Sequence, residues 1–211
     1  SWRISVHAIR MVWDNLGDVL KLTAVPYLAI VLITSSITLA TTGSLTCGSF
    51  DFNFEDMMNA EPVPLDQQLT DLAGGLISLV FYLPLAAWLA IGWHRFVLAE
   101  EYPQGWTPPW PSGRVLPYIW RVVLIFLSYM GCFLLGGLVV AALAAVSSAL
   151  GAIVGIAAFV GVFVLLVASV RWSLALPAIS IDRADFGLGD GWRATKGMGW
   201  TILGAIFILA I

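Results

Sequence analysis

The sequence predicts an all-α, polytopic helical membrane protein with interfacial amphipathic helices, and three observations carry that prediction. The stretch from Val122 to Val170 contains no Asp, Glu, Lys, Arg or His. One helix over it would run roughly 73 Å at 1.5 Å per residue, while a bilayer's hydrocarbon core is about 30 Å thick, so the stretch must fold back on itself. The composition agrees: 60% of residues are hydrophobic and 11% charged, with a mean hydropathy of +0.92, against about 25% charged in soluble domains. Lastly, the charges gather between apolar stretches instead of spreading along the chain. This gives one helical membrane domain over 1–211 with five spans, at about 22–40, 73–94, 119–146, 149–170 and 200–211 onward.

Residues 2–20 come first. Trp2, Val6, Ile9, Trp13, Leu16 and Leu20 recur at helical spacing, with Arg3, His7, Arg10, Asp14 and Asp18 on the other side. We read a helix lying in the membrane interface with Trp2 and Trp13 toward lipid; packing on the rest of the protein is the other use of such a stripe. No uninterrupted apolar core follows the basic start before Lys21, so this is not a signal peptide.

Leu22 to Ala40 reads as the first span, with Pro26 in its early turns, where proline costs least. The 41–72 stretch carries Asp51, Glu55, Asp56, Glu61, Asp66 and Asp71 with no Lys or Arg. It reads as a solvated acidic outer loop; it lacks the ligand spacing of a calcium loop. The second span opens on Gly74-Gly75, is kinked at Pro84 and closes on Trp93-His94-Arg95. His94 is the one imidazole beside a span and a candidate ligand for a metal or pigment. Nothing resembling a ligand set accompanies it, so no cofactor and no metal are expected, and His94 reads as an interfacial residue. Residues 96–121 hold Pro103, Pro108, Pro109, Pro111 and Pro117 among Trp106, Trp110 and Trp120, the composition of an ordered loop pressed on the interface.

The hairpin follows, its turn set at Ser147-Ser148-Ala149-Leu150-Gly151, the cluster of small polar and turn residues in the charge-free run. Gly137, Ala141 and Ala145 recur every four positions on the first arm; Gly151 and Gly155 form a GxxxG on the second. Small residues let helix backbones approach closely in lipid, so these are the expected packing positions. Beyond Val170 come Arg171, Trp172, Pro177, Asp182 and a glycine-rich stretch with Trp192, Arg193 and Lys196, read as a short interfacial helix or loop before the fifth span. Trp172 and Trp192 join Trp2, Trp13, Trp93, Trp106, Trp110 and Trp120 as interfacial anchors.

The run Arg171-Trp172-Ser173-Leu174-Ala175-Leu176-Pro177-Ala178, then Asp182, then Gly191-Trp192-Arg193-Ala194-Thr195-Lys196-Gly197 and Trp200, resembles a broad family of bacterial polytopic membrane proteins. That family includes the membrane domains attached to some glycerophosphodiester phosphodiesterases. The resemblance covers roughly thirty residues plus the layout of interfacial helices between spans. It implies a bacterial inner-membrane protein of about six spans, of which this chain holds the first five in whole or part. It carries no catalytic residue here. Residue 1 is Ser and Ile211 falls inside an apolar run, so the chain reads as a portion of a longer protein.

Function is less legible. The four complete spans have no ionisable residue between their ends, which counts against ion-coupled transport. No paired carboxylates, Cys/His cluster, nucleophile elbow or phosphate loop is present, and no basic patch supports nucleic-acid binding. The expectation is a non-catalytic membrane subunit or scaffold whose partners are the lipid bilayer and other membrane subunits. A transporter or lipid-handling protein without intramembrane charges is the alternative. All ten Lys and Arg fall before the first span, between the second and third, or between the fourth and fifth. The basic side stays in the cytoplasm on insertion, so the N-terminus is expected inside and the 41–72 loop in the periplasm.

Overall fold

The computed structural model describes residues 2–43, 64–183 and 185–209. Every regular element among them is a helix. In chain order these are α1 (Trp2–Asp14), α2 (Leu16–Thr42), α3 (Leu65–Ala99), α4 (Ser112–Val146), α5 (Ser148–Ser173), α6 (Ala175–Ser180), α7 (Leu188–Ala194) and α8 (Gly199–Leu209). Helices α2, α3, α4 and the α5–α6 stretch are long and apolar enough to cross a membrane, so the described residues form an all-helical fold with four candidate membrane spans. The apolar helix α8, 11 residues long among the described residues, lies where the incomplete fifth span is expected to begin.

Several boundaries differ from expectation. The first helix ends at Asp14, not near residue 20. Asn15 turns its side-chain amide back to donate to the Met11 carbonyl at 2.9 Å, satisfying one of the carbonyls a helix end leaves open. Leu16 and Leu20 therefore belong to α2, which runs 27 residues without a break. Pro26 consequently lies in a helix interior rather than in its first turns, and it is fully buried. The acidic loop is shorter than 41–72. Thr41 is in α2, and helix α3 starts at Leu65, so Asp66 and Asp71 are helical. Cys47, Asp51, Glu55, Asp56 and Glu61 lie outside the described residues. At 35 residues, α3 is about 52 Å long and extends well past a bilayer's hydrocarbon core.

The spans pair as two antiparallel hairpins. In α2–α3, a Cβ added to Gly74 would meet the Thr41 side chain at 2.9–3.2 Å, and one added to Gly92 would meet Leu22 at 3.1 Å, which fixes the close approach at both ends. In α4–α5 the turn is tighter than the five residues expected. Ser147 alone is extended (φ −158°, ψ 130°), and Ser148 already begins α5. Gly151 lies one turn into α5, where an added Cβ would fall 2.5 Å from the Ala144 Cβ.

The hairpins join at one end only. There Ala87 and Ile91 of α3, Val115 and Tyr118 of α4 and Ile179 of α6 form the buried cluster, with the short helix α6 packed against both α3 and α4. Farther along α4, none of its most apolar window is buried in the chain. Lipid is as apolar as leucine, so a span has no hydrophobic reason to bury its flank, and Phe126, Leu134 and Leu138 stand exposed.

Candidate functional site at the polar end of the helices

The joined end of the bundle carries the polar chemistry, organised in two nodes. The first grows from how α3 and α6 stop. Helix α3 ends in left-handed Glu100 (φ +53°), and the turn after α6 carries left-handed Asp182 (φ +65°). Asp tolerates that conformation better than most residues, and here it closes the α6 end while Arg183 N–H donates to the Ala178 carbonyl at 2.8 Å. Asp182 then accepts two bonds from Arg114, Nε to Oδ1 and Nη2 to Oδ2, both 2.8 Å. Arg95 donates through Nη1 to the Ser180 carbonyl at 2.9 Å and reaches Asp182 at 3.5 Å. Its Nε donates to Glu101 at 2.7 Å, and its Nη2 to the other Glu101 oxygen. Two arginines on two spans thus clamp the turn that follows a third. The Arg114 guanidinium holds the Asp182 carboxyl below the usual carboxylate range.

The loop between α3 and α4 is folded onto this node. Trp88 Nε1 donates to the Pro109 carbonyl at 3.3 Å, and Trp110 meets Trp88 edge-on with ring centroids 5.3 Å apart. Tyr102 packs edge-on against Phe96 at 5.5 Å, and Trp93 against the same ring at 5.8 Å. A cavity of about 650 Å³ opens beside it, lined by Leu22, Gly92, Tyr102, Trp110 and the two arginines, both of which are already paired with carboxylates. His94, the candidate ligand, lies 3.4 Å from the Tyr118 hydroxyl. Among the described residues no group of three or more His, Cys, Asp or Glu is placed to hold a metal.

The second node joins α5 to α7. Arg171 donates through Nε to Thr195 Oγ1 at 2.7 Å and through Nη2 to the Trp192 carbonyl at 2.8 Å, and its guanidinium carbon sits 3.8 Å over the Trp192 ring. The hydroxyl of buried Thr195 in turn donates to the Gly191 carbonyl at 2.8 Å. Gly191 is packed so tightly on the Arg171 carbonyl oxygen that no side chain fits. Helix α7 is capped by Asp190, which accepts the Gly187 N–H at 2.7 Å and pairs with Arg193 at 2.7 Å. The Gly187 bond is the main reason its carboxyl titrates below the usual range. Arg121 ties α4 to the same region through the Phe186 carbonyl at 3.3 Å.

Four of the tryptophans named as anchors, Trp93, Trp110, Trp172 and Trp192, make ring contacts here, and Trp13, Trp106 and Trp120 are exposed; Trp2 opens α1. Trp88, which the sequence places inside a span, belongs to the same group through its contacts with the loop. The packing glycines divide. Gly151 is at a close contact, whereas Cβ atoms on Gly137 and Gly155 would meet none of the described residues within 4 Å, and Ala141 and Ala145 are exposed. The side of α4 turned inward runs instead through half-buried Gly136, Val140 and Leu143. Sequence reasoning missed the charge ties altogether. In comparisons with family models, characterised proteins and solved structures, nothing matches the chain.

Proposed function

We propose that this chain is a non-catalytic subunit of an assembly in the bacterial inner membrane, working through helix packing, with its polar end in the cytoplasm. The observation that carries the reading is the open flank of α4. Gly137, Ala141 and Ala145 form an exposed row of small residues, and a Cβ added to Gly137 meets none of the described residues within 4 Å; such a row lets another helix approach backbone to backbone. The polar end supports a structural role as well. Arg95, Arg114 and Asp182 tie helix ends together and hold two otherwise loosely joined hairpins in a fixed relation. The orientation rests on the ten basic residues, all in α1, in the first turns of α2 or in the segments at the joined end. The bacterial inner membrane rests on the family resemblance of residues 171–200, whose Arg171, Gly191, Trp192 and Thr195 contact one another in the second node; packing explains that motif without any chemistry. Purification in a mild detergent tests the proposal. A second polypeptide in fixed ratio, in a particle heavier than the 22.8 kDa chain and its detergent, is expected; a monodisperse single chain overturns it.

A further inference from the structure

Between α5 and α8 runs an open groove of about 690 Å³, inside the usual range for ligand pockets of about 300–1,000 Å³. Its floor is one face of α5, formed by Val160, Phe163, Val164 and Val167, and its far wall is Leu203 and Trp200 of α8. Arg171 and Trp192 stand at its head. From Arg171 to Val160 the groove descends about 16 Å along the helix axis, which is about half of a 30 Å hydrocarbon core, or one leaflet.

The head of the groove bears a charge that no carboxylate among the described residues pairs with. Arg95, Arg114, Arg183 and Arg193 each pair with a carboxylate. Arg171 does not: its described partners are a hydroxyl, a carbonyl and an indole face. These neutral contacts hold the guanidinium in place, and among the described residues they leave its positive charge without a carboxylate. A fixed cation at the headgroup level above a one-leaflet apolar groove matches the shape and charge of one class of molecule. Basic pockets between spans are the general form of anionic-headgroup sites.

We propose that this groove binds an anionic phospholipid, with one acyl chain along Val160, Val164 and Leu203 and the phosphate at Arg171 beside Trp192. The proposal rests on the chain lying in a membrane and is independent of whether it serves as a subunit. The test uses the whole purified chain, delipidated in detergent, with its melting followed as lipid is added. Dioleoylphosphatidylglycerol is expected to raise the melting temperature at concentrations where dioleoylphosphatidylcholine, with the same acyl chains, and glycerol phosphate, with no chains, do not. Arg171→Gln, which loses a charged donor, should bind the anionic lipid roughly tenfold more weakly. Because Arg171 also holds Trp192 and Thr195, Val164→Trp is the second variant; it fills the exposed floor of the groove without touching that node and should abolish the lipid effect. Equal stabilisation by the two lipids of wild type, or a full effect in Val164→Trp, overturns the proposal. A photoreactive side chain at position 164 should form an adduct with added lipid; an adduct with a second copy of the chain or with another protein instead overturns it too.

Discussion

Arg114 grips Asp182 in a bidentate clasp, two parallel bonds of 2.8 Å between a guanidinium on the first turn of α4 and a carboxylate 68 positions away, after α6. Together with Arg95 on α3 it makes one aspartate the meeting point of three chain segments. The clasp has a pH signature. A carboxyl whose folded value is depressed contributes stability that is fully present above its unfolded value, about 4, and lost as pH falls through the folded value. Asp182 and Asp190 are both depressed, by Arg114 and by the Gly187 N–H respectively. The melting temperature in detergent should therefore hold level from pH 7 to about 5 and fall below about 4. Asp182→Asn should lower the plateau and shrink the acid loss. Asp185→Asn, whose partner Arg183 is 3.8 Å away at the surface, should change little. Identical curves for wild type and Asp182→Asn would contradict the role given to this residue.

The second node makes a steric prediction. Gly191 and Gly189 both lie in α7, yet an added Cβ collides with the Arg171 carbonyl oxygen at 191 and meets nothing within 4 Å at 189. Gly191→Ala should cost roughly 1–3 kcal/mol, as overpacking does, while Gly189→Ala should stay within about 0.5 kcal/mol of wild type. Thermal melts of the two variants side by side decide it, and equal melting would remove the close approach of α7 to α5.

How far the sequence led can be told from particular residues. The spans were legible because absence of charge over bilayer length is a property of a contiguous stretch: Val122 to Val170 had to turn, and Ser147 is where it turns. The ends were not. Asn15 stops α1 through one side-chain hydrogen bond, and Pro64 precedes a helix that recruits Asp66 and Asp71; hydropathy reports neither. The ties at the polar end were invisible for another reason. Arg95, Arg114 and Asp182 are 68 to 87 positions apart across the aspartate, so no local spacing reports them; the faint signal was that all three flank helix ends on the same side. Among the small residues, two adjacent rows on α4 repeat with helical spacing, Gly136 with Val140 and Gly137 with Ala141. Periodicity alone cannot tell which one faces α5, and the structure turns the first row inward.

The proposed orientation is checked by fusing alkaline phosphatase, which needs an oxidising compartment, after residue 60 and separately after residue 105. Activity is expected at the first site alone. Activity at the second site would place the arginine nodes in the periplasm and invert the membrane placement.

The central claim, that the flanks left open by this chain are covered by another, is tested most directly by separating folding from assembly at two glycines of one helix. At Gly151 an added Cβ meets Ala144 of the same chain, while at Gly155 it meets none of the described residues within 4 Å. Gly151→Leu should lower the melting temperature of the isolated chain. Gly155→Leu should leave that melting temperature unchanged and release the partner that copurifies with wild type, because the leucine wedges apart a contact between chains. A Gly155→Leu protein that retains its partner in full ratio, or a wild type that carries none from native membranes, would contradict the account.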